Sequence, residues 1–403
     1  MEPSVKPDPA PATPLRRRNV GRRWCVPPAI LREPAESLEA SHILDEVRGE
    51  LGLLLWQSLR DVTLWASFPP GEREGLFCAD AARARLALVG SVAPEPGIEV
   101  ALTTLGALVG NPGGASPELV TLVCLQVGRW AEERKAGATA LSFAQAGALA
   151  SPDDARAALA VGAMALRWRK GSRAETWLRR TVGLARRSGD WEAYAHAYVE
   201  MGTLYAQRGT PDAARKLLGK ALRASRRHGL QETRGAALHA LFRIALELGS
   251  HDEAEGFARG AMRAYGRGHP ELPGLLHDVA ALWVGRESFA RAVPLLHRLL
   301  PMRTDPVDRV ATLALLARAA AGSADRRSFE EAWSGAWALL RRLDEKDLAP
   351  GTLVELARAA ATVRDWDRME QAVRHAAAVA GGDPGRKRLD VEALLNNLRE
   401  ELP

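Results

Sequence analysis

From Tyr198 through Met201, Gly202 and Tyr205, and from Ala213 through Leu217, Leu218, Ala221 and Leu222, small and apolar residues fall at steps of three and four. That period lays an apolar stripe along one side of a helix, so each run predicts an amphipathic α-helix. Between the runs stands Gly209-Thr210-Pro211-Asp212. Glycine there ends the first helix in the left-handed conformation, threonine caps the second, and proline suits its first turn. Ser172-Arg173-Ala174-Glu175 and Ser250-His251-Asp252-Glu253 read as capping boxes that start the second helix of other units. Ser151 and Pro152, followed by Asp153 and Asp154, give another helix start, with serine as the cap and two carboxylates favouring the helix dipole. The predicted unit is helix, tight turn, helix.

The unit repeats. Ala174, Ala214, Ala254, Ala292, Ala332 and Ala372 are spaced by 40, 40, 38, 40 and 40 residues. At the same offset Gly162 matches Gly202, Leu178 matches Leu218, and Arg186-Arg187 matches Arg226-Arg227. Gly249-Ser-His-Asp252 repeats Gly209-Thr-Pro-Asp212, and Phe289, Phe329 and Met369 continue the series. Upstream, Gly128 and Ala140 reproduce the twelve-residue gap between Gly162 and Ala174, giving about seven units with the first and last less regular. A unit of this size cannot bury its apolar face alone, so neighbouring units share one core. Val, Ile, Thr and Tyr show no sustained alternation, and no sheet is expected. The small residues imply close backbone approach, with a glycine in the first helix facing an alanine in the second. Trp168, Trp177, Trp283, Trp333, Trp337 and Trp366 fall inside predicted helices, as fillers of the gaps between them.

Tyr198, Met201, Gly202, Tyr205, Ala214, Leu218 and Ala221 resemble the tetratricopeptide pattern of aromatic, leucine, glycine, tyrosine, alanine, aromatic and alanine. Arg226 stands where that family often has proline, Phe242 replaces the glycine of the next unit, and the 40-residue spacing exceeds the family's typical length of about 34. The longer spacing implies longer helices, as in the long-repeat variety of bacterial sensor and regulator proteins. The resemblance spans Pro117 to Gly382 and implies an all-α fold, a right-handed α-solenoid of helix-turn-helix units. It also implies a concave groove lined by the first helix of each pair. Ligand-facing positions lie three before, one after and five after the glycine. Transferred to this chain they are Leu159, Ala163 and Arg167; Val199, Thr203 and Gln207; and His239, Arg243 and Glu247. Arg156 and His196 lie three residues earlier on the same face, and His277 takes the place of His239 one unit on. The polar members, Arg156, Arg167, His196, Thr203, Gln207, His239, Arg243, Glu247 and His277, form the candidate partner-binding set, mixed in charge with basic emphasis. The lysine and asparagine set that clamps a C-terminal carboxylate in chaperone adaptors is missing.

Around the array, residues 1–34 read as a disordered Pro/Arg-rich tail and 35–115 as a helical region that is a degenerate repeat, a cap or a dimerisation module. Residues 116–385 form the array, and 386–403 a C-terminal capping helix, with Leu389, Val391, Leu394, Leu395 and Leu398 on its apolar side. A long helix is expected from Glu36 to Ser67, ended by Pro69-Pro70-Gly71, with further helices over 72–91 and 97–110. The region lacks the compact pattern of a DNA-binding helix-turn-helix.

Net charge is +6, of which residues 1–28 hold +4 through Lys6, Arg16, Arg17, Arg18, Arg22 and Arg23 against Glu2 and Asp8. Nucleic acid is therefore a partner only through this arginine cluster, beside Trp24. Cys25, Cys78 and Cys124 are odd in number and far apart, suiting neither a disulfide framework nor a zinc site. With no secretory signal, and Leu51 to Trp56 too short to span a membrane, a reducing, cytoplasmic setting is expected.

Catalytic signatures are missing: no GxxxxGK[ST] loop, no GxGxxG after a strand, no HExxH and no GxSxG elbow. Gly266-Arg-Gly268 reads as a helix stop, and no cysteine has a suitable histidine partner. His196, His239 and His277 lack a carboxylate or cysteine companion for a metal. The expected protein is a non-enzymatic scaffold or adaptor, without cofactor or metal, that binds a peptide or protein in its groove. The alternative is a bacterial regulator responding to a peptide or small ligand.

Overall fold

The computed structural model describes residues 41–92, 95–343, 349–380 and Ala393. Expectations for the N-terminal tail with its arginine cluster and Trp24, for Cys25, and for the capping helix lie outside these residues.

Eighteen α-helices and two short 3-10 turns make up the described secondary structure, with no strand among the described residues. Four helices come first: α1 (Ser41–Glu46), α2 (Gly49–Ser67), α3 (Ala79–Ser91) and α4 (Glu99–Gly110). Seven antiparallel pairs follow among the described residues: α5 (Pro117–Glu133) with α6 (Gly137–Ala150), α7 (Ala155–Arg167) with α8 (Gly171–Ser188), α9 (Trp191–Gln207) with α10 (Pro211–His228), and α11 (Gln231–Glu247) with α12 (His251–Tyr265). Next come α13 (Leu272–Gly285) with α14 (Phe289–Leu299), α15 (Pro306–Gly322) with α16 (Arg326–Leu340), and α17 (Pro350–Thr362) with α18 (Trp366–Ala380). Helices of 17 and 18 residues, a three-residue turn and a two-residue link account for the spacing in the third pair.

All seven pairs turn in the same way. The central residue of each three-residue turn has positive φ: Lys135, Arg169, Gly209, Gly249, Glu287, Ala324 and Arg364. The next amide then donates to the carbonyl five residues back, from Ala136 to Ala131, Lys170 to Ala165, Thr210 to Tyr205, Ser250 to Ala245, Ser288 to Trp283, Asp325 to Ala320 and Asp365 to Ala360, at 2.8–3.0 Å. With the companion bond from the positive-φ residue, such as Gly209 to Ala206, this is a Schellman ending that satisfies carbonyls the first helix leaves orphaned. Glycine was expected at 209 and 249; the other five turns hold an ordinary L-residue in the left-handed region.

The caps differ from the expected ones. The Thr210 hydroxyl donates backwards to the Tyr205 carbonyl at 2.8 Å instead of capping α10. Ser250 makes no side-chain cap bond, and Ser172 lies within the first turn of α8. Asp154, not Ser151, caps α7 by accepting from the Arg156 amide at 2.8 Å, while the Ser151 hydroxyl accepts from Thr121.

The alanine register is buried throughout: Ala174, Ala214, Ala254, Ala292, Ala332 and Ala372 are at most 1% exposed. Gly128 faces Ala140, as expected, its Cβ position 3.1 Å from the Ala140 carbonyl oxygen, but Gly162 and Gly202 face leucine, four residues beyond the alanine. A Cβ on Gly162 would lie 2.7 Å from Leu178 Cδ2, and one on Gly202 would lie 2.6 Å from Leu218 Cγ. One unit later both sizes invert: Phe242 occupies the glycine position, Ala258 the leucine position, and both are buried. Trp177 and Trp333 are buried as gap fillers, but Trp366 is 41% exposed and Trp168 belongs to a turn, its indole lying against Gly137.

The chain divides into two compact units, Met1–Ser188 and Gly189–Pro403, with the boundary inside the repeat series. In the first, the helix expected from 36 to 67 is broken, within its described part, between α1 and α2. Gly49 takes a left-handed φ of 75°, and the Val47 carbonyl lies where a Cβ on Gly52 would be, 1.8 Å away. Glu46 at the end of α1 accepts from the amides of Ala138 and Thr139, capping α6 with a charge-assisted bond. Helix α3 starts at Ala79 rather than 72, after Cys78, whose Sγ accepts from the Ala81 amide. The α2 indole of Trp65 donates to Pro112 at 2.7 Å, and the Asp61–Arg85 pair joins α2 to α3. Burial pushes the Asp61 carboxyl above its usual range, opposed by Arg85. In the second unit one continuous core runs from Val199 to Ala376.

Candidate functional site

The second unit contains a cleft of about 360 Å³ between the first helices of two successive pairs. Helix α9 supplies Glu192, His196, Val199, Glu200 and Thr203; α11 supplies Glu232, Thr233, Ala236, His239, Ala240 and Arg243. Tyr265, at the end of α12, and His269 and Glu271, in the connection to α13, complete the wall.

Helical spacing sets the polar edge. Glu192, His196 and Glu200 occupy successive turns of one face, and the His196 Nε2 lies 3.4 Å from the Glu200 carboxylate. That hydrogen bond, above all, holds the His196 imidazole above its ordinary pKa; burial opposes it, and the charges of Glu200, Glu232 and Glu192 add to it. On α11, His239 Nε2 contacts Asp278 Oδ2 at 3.0 Å, with Arg243 on the same carboxylate at 4.0 Å.

The aromatic wall depends on a glycine. A Cβ on Gly235 would meet the Tyr265 ring at 2.5 Å, so the missing side chain seats the tyrosine against α11. Gly266 then ends α12 with a φ of 70°, and His269 folds back to stack on Tyr265 at 4.3 Å and 16°. The Glu271 amide donates to His269 Nδ1 at 3.1 Å, leaving Nε2 to carry the proton toward Glu232, 3.8 Å away. Burial, then the charges of Glu271 and Glu232, push the Tyr265 phenol well above its usual range. Thr233 is 5% exposed, lines the cleft, and has no hydrogen-bond partner for its hydroxyl among the described residues.

Four of the nine polar candidates meet here, His196, Thr203, His239 and Arg243, together with the transferred apolar position Val199. Gln207 and Glu247 lie exposed at the ends of α9 and α11, beyond the cleft lining. His277 does not join the other two histidines at the cleft. It lies on α13 with Nδ1 3.3 Å from the Thr312 hydroxyl, and burial lowers its pKa. Arg156 and Arg167 are exposed on α7 in the first unit, where Arg167 holds Glu132 through two bonds of 2.6 and 2.9 Å. Glutamates 192, 200, 232 and 271, Tyr265 and His269 were not anticipated. The expected basic emphasis gives way to four carboxylates against one guanidinium along this lining.

A larger cleft of about 760 Å³ in the first unit is bounded by His42, Glu46, Trp168, Arg169, Lys170 and Arg173, among others. None of the sequence-derived positions lines it, and the Glu46 carboxylate there is committed to capping α6. No group of three or more His, Cys, Asp or Glu is placed to hold a metal among the described residues. No helix among them is long and apolar enough to cross a membrane.

No protein-family model matches the sequence, and no curated protein does. Solved structures do. The crystal structure of the APC/C hetero-tetramer Cut9-Hcn1 is similar at a TM-score of 0.51 and 15% identity over 91% of this chain. This chain spans 59% of that one. BtubC (BKLC) from P. vanneervenii is similar at a TM-score of 0.43 and 19% identity, covering 57% of this chain and 92% of that one. A putative kinesin light chain of Podosopora anserina with nearly identical TPR-like repeats has a TM-score of 0.39 and 19% identity, covering 47% and 97%. The fold is an all-α helical-repeat solenoid resembling the tetratricopeptide class.

Proposed function

We propose that this chain is a non-enzymatic scaffold or adaptor, and that the first-helix face of its second unit holds an extended segment of a protein partner. The observation that carries this reading is the convergence of His196, Thr203, His239 and Arg243 on one cleft. These positions are the ones the tetratricopeptide resemblance implies once the repeat register is set, and the cleft between α9 and α11 is lined by them together with further polar side chains. Repeated pockets along an array suit an extended peptide, which gains affinity from successive side chains. A volume of about 360 Å³ sits at the small end of ligand pockets, roughly 300–1,000 Å³, as fits one or two side chains of a longer segment. A reducing, cytoplasmic setting belongs to the same reading, supported by the exposed, unbonded Cys78.

Site-specific photo-crosslinking tests it. A benzophenone amino acid at Thr203 should capture a partner chain, and one at Glu331, on the second helix of a later pair, should not. Equal capture at both positions, or none at Thr203, would overturn the proposal.

A further inference from the structure

The second unit's cleft has three features that the general reading leaves unused: an acidic rim, an orphan hydroxyl and an aromatic wall. We infer that, if this cleft is the partner site proposed above, it selects a basic segment by taking an arginine side chain between the carboxylates of α9 and α11.

The charge comes first. Glu192, Glu200, Glu232 and Glu271 line the cleft, where Arg243 is the one permanent cation among the described lining residues and leans toward Asp278. The same environment raises the His196 imidazole, first through its hydrogen bond to Glu200 and then through the charges of Glu200, Glu232 and Glu192. A site that stabilises positive charge on a neighbouring imidazole stabilises a guanidinium for the same reason.

Thr233 supplies the second, independent observation. It is 5% exposed yet lacks any hydrogen-bond partner among the described residues, while lining the cleft. Its oxygen is reachable from the cleft rather than sealed in the core, so it can accept from a bound donor. The third observation is shape. Tyr265 and His269 stack on each other at 16°, so each covers one face of its neighbour and the aromatic pair stands beside Glu232 and Glu271. Arginine matches all three: it is planar, donates five N–H groups in a fixed fork, pairs with carboxylates bidentately and stacks on aromatic faces. An ammonium would use the charge but not the plane.

The test pans a random peptide library against the full chain, then measures the enriched peptides by fluorescence anisotropy. Arginine should be enriched, and replacing it in the peptide with citrulline, equal in shape but uncharged, should abolish binding. Glu200→Gln with Glu232→Gln should weaken binding about tenfold or more, as expected for a lost charge-assisted pair. Glu331→Gln with Glu370→Gln, away from the cleft, should leave it unchanged. Thr233→Val, nearly isosteric, should weaken it several-fold without changing helical content or melting. Enriched peptides without arginine, or binding indifferent to the Glu200/Glu232 change, would overturn the inference and leave peptide binding standing. No enrichment of any peptide class over a bead-only control would remove both readings.

Discussion

Gly202 lies beneath Leu218: a single methyl on the glycine would sit 2.6 Å from the leucine Cγ, inside any tolerable contact. Gly202→Ala should therefore destabilise the second unit by about 1–3 kcal/mol, the cost of forcing a methyl group into a packed core. Gly202→Phe alone should be worse. Combined with Leu218→Ala it should recover much of the loss, because it recreates the large–small inversion of Phe242 and Ala258 one unit on. Thermal unfolding of the three variants checks this; a double variant no better than Gly202→Phe alone would show that the two positions do not share one space.

Glu46 closes α6 from another helix, accepting from Ala138 and Thr139 at 3.0 and 2.8 Å. Glu46→Ala should cost about 0.5–2 kcal/mol, as for a lost N-cap. Amide exchange in residues 137–141 is the readout, since a chain with two compact units need not unfold in one step. Unchanged protection there would remove the capping role.

Cys124 is fully buried, which pushes its thiol up to about 12, whereas Cys78 is exposed. At pH 8 iodoacetamide should label Cys78 and spare Cys124, because only the thiolate attacks and only an accessible one meets the reagent. Peptide mapping after brief and long exposure decides it. Early labelling of Cys124 would mean that α5 opens readily.

Burial holds His277 below its ordinary value near 6.5, so the unfolded chain binds this proton more readily than the folded one. By linkage, the contribution from His277 is present above that ordinary value and lost as pH falls from it toward the lowered folded value. Acidification from pH 7 should therefore destabilise the second unit, and His277→Gln should flatten that part of the profile. His196 runs the other way. Its raised pKa stabilises below the ordinary histidine value and loses that contribution as pH rises through the folded one. Melting curves of both single variants across pH 5–8 separate the two.

The repeat register was readable because a buried alanine recurs at one place in six consecutive pairs, and the close helix contact there tolerates little else. Its turn was readable only at Gly209 and Gly249. Lys135, Arg169, Glu287, Ala324 and Arg364 adopt the same left-handed geometry without a residue type that announces it. At the cleft, spacing showed which α9 and α11 residues share a face, and the tetratricopeptide resemblance implied that this face lines a groove. Tyr265, His269 and Glu271 arrive from the end of a second helix and the loop after it, and their placement rests on Gly235 and Gly266 rather than on any period. The acidic rim had a visible signal, Glu192 and Glu200 each one turn from His196, but its weight depended on which faces met.

The two pairs whose turns carry glycine are the two that build the cleft: α9 with α10, and α11 with α12. Elsewhere each pair holds an L-residue in the left-handed region, at a cost of roughly 1–2 kcal/mol per turn. Glycine at the central position would lift that steric cost in five pairs and has no counterpart in these two. Stability gained by placing glycine in turns would therefore accrue to the pairs outside the candidate cleft and leave the cleft's own two turns as they are.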